Sequence, residues 1–247
     1  MHWTKGLFHA TEVLHNHQPH STKRWLGSDS EQEYNQHKAE ANARGYDENS
    51  ITYILNEYGF RSKSFSKLDE DATKFKILVS GCSHTFGIGN RLEDTWPVKF
   101  AEMIPNSVLY NIALGGQSPD YTVRSIYRTI DVFKPNLIAV FWPPIGRVEF
   151  PTEYNPRNHY MPSDKEYPKC LADNTYHQYL FQKNAILLNE IAKSRDIPLV
   201  TLTNEEFCQK YYICDNYARD HHWGLQNQMA IANKMFEQYL QLPSKSV

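Results

Sequence analysis

The chain has 247 residues, of which 40% are hydrophobic and 22% are charged, and this length is enough to bury a sizeable core. Its formal net charge of −2 at pH 7 lacks the basic excess of most proteins that bind nucleic acid or anionic lipid, so we expect no nucleic-acid partner. No stretch approaches the roughly 18 consecutive apolar residues of a membrane helix, and residues 1–9 lack the apolar core of a secretory signal. We therefore expect no membrane span and a cytoplasmic location.

Residues 1–70 are predicted to form an N-terminal extension. Segment 28–49 is rich in charged and polar residues, which predicts a short solvent-facing helix or a loop. The run from Ile51 to Leu55 predicts a strand. Because the extension has too few apolar residues for a core of its own, we expect it to pack on a second unit, residues 71–247.

That second unit alternates between strand and helix patterns. The predicted strands are 76–80, 108–114, 137–142 and 198–202, and the predicted helices are 96–103, 121–133, 176–194 and 225–241. A Pro- and Tyr-rich insertion, 143–175, interrupts the alternation. Alternation of this kind predicts an α/β fold of three layers, α/β/α, around a central parallel sheet. Functional sites in such sheets form beyond the carboxyl ends of the strands.

Cysteine and histidine spacing gives no sign of a metal centre or a cofactor. The four cysteines show no CxxC pair, and without an export signal we expect all four to be free thiols. The run with His15, His17 and His20 has no carboxylate or thiol cluster beside it. We therefore expect no metal and no cofactor.

The first strand of the second unit ends in a segment that can expose a hydroxyl nucleophile. Gly81-Cys82-Ser83-His84-Thr85 follows the apolar run 77–79. A helix that begins at Ser83 offers free N–H groups and the positive end of its dipole to a developing oxyanion. Cys82 stays open as an alternative nucleophile.

An Asp and a His lie just before the last predicted helix, in Asp220-His221-His222. A serine nucleophile needs a base, and the base needs a carboxylate that fixes its tautomer. We expect a histidine of this segment to be the base and Asp220 to be its partner, and the family resemblance described below favours His222 over His221.

Together these segments resemble the GDSL/SGNH hydrolase family. Gly81-Cys82-Ser83-His84-Thr85 is similar to the family's first block, Gly-Asp-Ser-x-Ser/Thr. The run 111–118, which ends in Gly-Gly-Gln-Ser, is similar to its second block, and Asp220 to His222 resemble its Asp-x-x-His block. The resemblance covers about 72–242 and implies a flavodoxin-like SGNH-hydrolase fold.

The resemblance implies a triad of Ser83, His222 and Asp220, with an oxyanion hole at the backbone N–H groups of Ser83 and Gly116. The sequence departs from the family at three places. Cys82 replaces an Asp, the last block is one residue shorter, and Trp142-Pro143-Pro144 stands where the third block has an Asn. The candidates for substrate contacts are Arg147, Trp142, His84 and Asn111, and Arg147 is also the first candidate to replace the Asn donor.

The function implied is a serine esterase or acylhydrolase that acts on a small-molecule or carbohydrate ester, with the O-acetyl groups of a carbohydrate as one substrate class. Two alternatives stay open. One is a non-catalytic carbohydrate-binding or virion structural protein on the same fold, and the other is an O-acyltransferase. Members with the Gly-Cys-Ser-His-Thr-Phe-Gly pattern look like bacterial or bacteriophage proteins, so a phage or virion-associated location also stays open.

Overall fold

The computed structural model describes residues 18–68, 71–150, 158–160 and 174–243. The N-terminal part contains strands β1 (Thr22–Lys23) and β2 (Tyr53–Ile54), which pair antiparallel, and helices α1 (Glu31–Gln36), α2 (Lys38–Ala43) and α3 (Phe65–Leu68). The rest of the chain then alternates as expected, with β3 (Phe75–Gly81), α4 (Ser83–Phe86), α5 (Trp96–Glu102), β4 (Ser107–Asn111), α6 (Pro119–Phe133), β5 (Leu137–Trp142), β6 (Val148–Phe150), β7 (Asn158–Tyr160), α7 (Asn174–Lys193), β8 (Leu199–Thr203), α8 (Asn204–Lys210) and α9 (Leu225–Leu240).

The central sheet has the order β4-β3-β5-β8, and each of these neighbouring pairs is parallel. Every residue of β5 is buried, which is typical of a strand covered on both faces. This arrangement confirms the predicted α/β fold with a central parallel sheet.

Helices cover both faces of this sheet and define the three layers. One apolar cluster contains residues of α6 and α7 together with Leu78 and Val140 of the sheet. The other contains residues of α5, α8 and α9 together with Val79 and Phe141. Because successive residues of a strand point to opposite faces, neighbouring residues of β3 and β5 feed the two clusters in turn.

The N-terminal segment shares the first of these clusters. Leu26, Tyr34, Tyr53 and Phe65 are all buried in it with Tyr110 of β4. These four residues are therefore covered by the α/β unit rather than by one another alone.

The predicted strands and helices of the second unit are all present, with differences at their ends. Strand β4 stops at Asn111, three residues before the predicted end, and helix α8 was not predicted. Most of the predicted insertion 143–175 lies outside the described residues, apart from 143–150, 158–160 and the start of α7. Among the described residues, no helix is long and apolar enough to cross a membrane. Cys82, Cys208 and Cys214 are free thiols, and Cys170 lies outside the described residues.

Candidate active site

Ser83 is the first residue of α4, directly beyond the carboxyl end of β3. The turn between them needs a glycine, because a Cβ on Gly81 would lie 2.2 Å from Thr85 Oγ1 and 2.7 Å from the carbonyl oxygen of Phe141. Thr85 is held in place by the Trp96 indole, which donates to its hydroxyl (3.3 Å). The spacing from Gly81 to Thr85 therefore fixes the point at which Ser83 leaves the sheet, with 7% of its surface exposed.

Asp220 and His222 form a pair despite the short spacing between them. Asp220 Oδ2 lies 2.7 Å from His222 Nδ1, and Asp220 Oδ1 accepts the backbone N–H of His222 at 3.0 Å. Burial alone would raise the pKa of Asp220, but the hydrogen bonds from His222 and Ser28 lower it below its usual value. The carboxylate is therefore ionised, and it fixes Nδ1 as the protonated nitrogen of His222, which leaves Nε2 as the proton acceptor.

His221 points elsewhere. Its side chain is 67% exposed, and its Nε2 contacts Glu33 of α1 at 2.5 Å. The arrangement is the one expected if His222, and not His221, is the base.

A residue that sequence reasoning missed, Ser28, completes this part of the site. Its hydroxyl donates to Asp220 Oδ2 at 2.8 Å and lies 3.4 Å from His222 Nδ1. Ser28 lies at the corner of a tight turn that is closed by two backbone hydrogen bonds between Leu26 and Asp29. The next residue, Asp29, is buried and accepts two hydrogen bonds from the buried Arg219 guanidinium, at 2.8 and 2.6 Å.

The loop that carries Asp220 and His222 is tied to the start of α4. The His84 ring stacks on Trp223 with centroids 3.9 Å apart, and its centroid is 5.1 Å from that of His222. Gln228 of α9 donates to the carbonyl oxygens of His84 (3.3 Å) and Trp223 (3.4 Å). The His222 ring therefore lies beside His84, the residue after Ser83, and the described residues contain no hydrogen bond between Ser83 Oγ and His222.

Burial lowers the pKa of His84 well below its ordinary value, and the charges of His222 and Arg147 act in the same direction. Its Nδ1 is buried without a hydrogen-bond partner among the described residues. His84 therefore stands as a neutral wall of the site, beside Ser83.

The predicted oxyanion residues lie in open backbone positions. The Ser83 N–H belongs to the first turn of α4 and has no partner within that helix. Gly116 has φ +75°, and a Cβ added there would meet nothing within 4 Å. Arg147 lies near this turn, because its guanidinium donates to the carbonyl oxygen of Gln117 at 3.4 Å.

Two of the residues predicted to contact substrate are instead buried in the protein interior. Trp142 is 2% exposed and packs edge-on against Phe181 of α7, in the core. Asn111 is 3% exposed. Its amide nitrogen donates to the carbonyl oxygen of Thr85, and its amide oxygen accepts the N–H of Ala113. The sequence predicts that both face a ligand, whereas their side chains are buried and stabilise the end of the sheet.

Comparison with known proteins gives matches among solved structures. No protein-family model matches the chain, and no curated protein matches it. The crystal structure of TesA aligns with a TM-score of 0.46 and 11% identity over 68% of this chain and 99% of that one. A lipolytic protein of the G-D-S-L family from Veillonella parvula aligns at 0.39 and 12% identity, over 68% and 99%. A GDSL-like lipase from Bacteroides thetaiotaomicron aligns at 0.34 and 11% identity, over 84% and 97%.

Proposed function

We propose that the chain is a serine ester hydrolase of the GDSL/SGNH type, with Ser83 as nucleophile, His222 as base and Asp220 as its partner. The observation that carries this proposal is the Asp220–His222 contact of 2.7 Å, on a loop tied to the helix that Ser83 begins. A carboxylate, an imidazole with its Nε2 available and a hydroxyl at a helix start are the groups that acyl transfer to a serine requires.

In the proposed mechanism, Ser83 Oγ attacks the ester carbonyl while His222 Nε2 takes its proton. Asp220 stabilises the imidazolium that forms, and Ser28 and the His222 N–H keep the carboxylate aimed at Nδ1. The alkoxide leaves with the proton from His222. Water then attacks the acyl-enzyme with His222 again as base, which returns Ser83 and releases the acid.

The developing oxyanion is held by the backbone N–H groups of Ser83 and Gly116. Arg147 supplies the third donor in place of the absent Asn side chain. It is supported in this role by its hydrogen bond to the Gln117 carbonyl, one residue after Gly116, and by the effect of its charge on His84, one residue after Ser83. An arginine cation stabilises an anion more strongly than a neutral amide does.

The substrate class we propose is a short-chain ester of a polar alcohol, such as an O-acetylated carbohydrate. Support comes from the position of the Pro- and Tyr-rich insertion, which begins directly after β5 at the carboxyl edge of the sheet. Tyrosine side chains combine an apolar ring with a hydroxyl, which suits the faces and hydroxyl groups of a sugar.

The test is covalent labelling of the intact protein with a fluorophosphonate, together with turnover of short-chain aryl esters and acetylated sugars. Wild-type protein is expected to be labelled on Ser83, and Ser83→Ala to be unlabelled with unchanged circular dichroism. His222→Ala is expected to lose turnover by several orders of magnitude, because base and nucleophile act as a unit. The turnover of His221→Ala, assayed in the presence of a metal chelator, is expected to fall by less than tenfold.

Three results would contradict the proposal. Labelling at Cys82, or of the Ser83→Ala variant, would show a different nucleophile. Folded protein without labelling or turnover would indicate a non-catalytic binding protein. Faster ester cleavage upon addition of a sugar acceptor, with the acyl group found on the sugar, would indicate an acyltransferase.

A further inference from the structure

A second cluster of side chains lies on the outer side of the loop that carries Asp220 and His222. Glu33, His37 and His221 each offer one ligand atom, and these atoms all lie within 4.8 Å of one another. Glu33 Oε1 is 2.5 Å from His221 Nε2 and 3.5 Å from His37 Nε2. We infer that these three side chains bind one Zn²⁺ ion, independently of the proposed hydrolase function and contrary to the expectation from the sequence.

The types of ligand atom in this cluster favour zinc over other divalent metal ions. Two imidazoles and one carboxylate are a common three-ligand set for zinc, with water in the fourth position. Magnesium and calcium prefer oxygen ligands alone, so two histidine nitrogens disfavour them. The exposed fractions of the side chains, 29% for Glu33, 37% for His37 and 67% for His221, leave room for a water ligand.

The spacing needs only a small adjustment. Ligand atoms about 2.0–2.1 Å from a tetrahedral zinc stand roughly 3.3 Å apart. The Glu33–His37 distance of 3.5 Å is already close to that value, whereas His221 has to withdraw from Glu33 by about 1 Å. The exposed His221 side chain is free to make such a movement within a rotamer well.

The surroundings of His37 supply an independent indication. Its other nitrogen, Nδ1, faces Glu40 Oε2 at 3.6 Å. Zinc-bound histidines commonly donate this second N–H to a carboxylate, which fixes the tautomer that leaves Nε2 for the metal. Nearby cations do not compete for Glu33 or Glu40 among the described residues, because Arg219 pairs with Asp29 and Arg44 lies over the Tyr217 ring at 5.6 Å.

The ion would join the N-terminal segment to the loop before α9 in the second unit. Glu33 lies in α1 and His37 caps it, while His221 stands between Asp220 and His222. Zinc binding is therefore expected to stabilise the folded chain, because the three ligands converge only when the segment is docked.

The experiment uses the full chain without a purification tag, dialysed first against a chelator and then titrated with ZnCl₂. We expect one Zn²⁺ per chain by calorimetry and elemental analysis, and a rise in Tm. His221→Ala and Glu33→Gln are expected to lower the zinc affinity at least tenfold. With Co²⁺ in place of Zn²⁺, the visible absorption of a tetrahedral site is expected in the wild type and not in His221→Ala.

The matched control is the triple variant His15→Ala, His17→Ala and His20→Ala, which removes the other histidine run of the N-terminal segment. It is expected to keep the wild-type affinity. The inference is overturned if zinc fails to bind the folded wild type, or if His221→Ala and Glu33→Gln bind as tightly as the wild type. It is equally overturned if the control variant loses the ion. Circular dichroism of each variant separates loss of the site from loss of the fold.

Discussion

At the scale of single residues, Ser28 gives the N-terminal segment a direct part in the proposed chemistry. It donates to the same oxygen of Asp220 that pairs with His222, and it lies 192 residues away in sequence from Asp220. Ser28 touches no reacting atom, so we consider it a positioning residue that holds the carboxylate in one rotamer.

Replacement of Ser28 by alanine is expected to lower kcat about 10- to 100-fold with little change in KM. A hydrogen bond to a charged group contributes about 1.5–3 kcal/mol, and the misaligned carboxylate affects the step in which His222 becomes charged. Ser28→Thr keeps the hydroxyl and is expected to restore most of kcat. Ser21→Ala is the control, since the Ser21 hydroxyl donates to the Gln18 carbonyl oxygen and contacts no other polar group in the part of the chain that the structure describes. Steady-state kinetics on one aryl ester decide the matter, and an equal loss in Ser28→Thr would contradict the positioning role.

Arg147 is the residue on which the proposed third oxyanion contact depends. Arg147→Gln is expected to lower kcat about 10²-fold, within the range measured for loss of one oxyanion donor, and to change KM little. Arg128→Gln on α6 is a control that removes one arginine elsewhere in the chain. If Arg147→Gln raises KM and leaves kcat unchanged, Arg147 binds the ground-state substrate instead.

The sequence allowed the Asp220–His222 pair to be predicted, because two residues of one short loop need no long-range information. Ser28 could not be found in this way, since nothing in its turn indicates the loop that it faces. Trp142 was assigned wrongly for a physical reason. All residues of β5 are buried, so its pattern has no polar alternation that distinguishes a core residue from one facing the site.

At the scale of elements, the loop after α4 supports Asp220 through a close approach. Gly89 has φ +73°, and a Cβ there would lie 2.2 Å from Asp220 Oδ1. Its carbonyl oxygen also accepts the N–H of Arg219 at 2.9 Å. The carboxylate therefore rests directly on the glycine backbone.

Gly89→Ala is expected to lower both stability and kcat, because it adds a steric clash with Asp220 to the cost of a positive φ. Gly45→Ala is a matched control, since Gly45 has φ +83° and open space around it. The control carries only the backbone strain, about 1–2 kcal/mol, and keeps kcat. Urea denaturation and kinetics of the two variants separate the two effects, and equal kcat values would show that Asp220 tolerates the displacement.

Helix α4 carries a second testable feature, the neutral His84. The unfolded chain binds a proton at His84 near pH 6.5, and the folded chain does so only at much lower pH. As pH falls below 6.5 the unfolded state therefore takes up more protons, and stability falls by up to about 1.4 kcal/mol per pH unit. Above pH 6.5 both states are neutral at this residue, and it adds no pH dependence.

His84→Phe keeps the stacking on Trp223 and removes the titrating group. The difference in unfolding free energy between variant and wild type is expected to shift in favour of the variant as pH falls from 7 to 5. Urea denaturation at several pH values measures it, with the exposed His20→Phe as control. A difference that is constant with pH would show that folding leaves the pKa of His84 unchanged.

The end of β4 and the start of α8 each depend on a local sequence signal. Strand β4 ends at Asn111, because the Asn111 side chain accepts the N–H of Ala113 and turns the chain. A capping pattern, Thr203 followed three residues later by Glu206, indicates the start of helix α8. In the structure the Thr203 hydroxyl accepts the Glu206 N–H at 3.0 Å. Both signals are present in the sequence, but each becomes decisive only when the neighbouring strand end is known.

At the scale of the whole molecule, the Asp29–Arg219 ion pair joins the N-terminal segment to the proposed catalytic loop. The side chains are 1% and 0% exposed, and the Tyr53 hydroxyl also bonds to Asp29. Removal of one partner leaves an unpaired buried charge, which typically costs about 3–5 kcal/mol.

Arg219→Leu is therefore expected to lower the free energy of unfolding by about 3–5 kcal/mol. The double variant Asp29→Leu/Arg219→Leu is expected to lower it by less than the sum of the losses in the two single variants. The exposed pair Arg195–Asp131, with Asp131 70% exposed, provides the control, and Arg195→Leu is expected to cost no more than about 1 kcal/mol. Urea midpoints followed by circular dichroism give the values, and additive effects in the double variant would show that the pair is not coupled.

The 190-residue separation of Asp29 and Arg219 also sets an order of events on the ribosome. Asp29 is synthesised long before Arg219, whose guanidinium is hydrogen-bonded to it in the described structure, and burial of a carboxylate without such a partner costs free energy. The early turn must therefore stay hydrated until the loop before α9 has emerged. A nascent chain stalled before residue 219 is therefore expected to lack the contacts that join Ser28 and Asp29 to the loop before α9, so the proposed catalytic site would assemble only when synthesis is nearly complete.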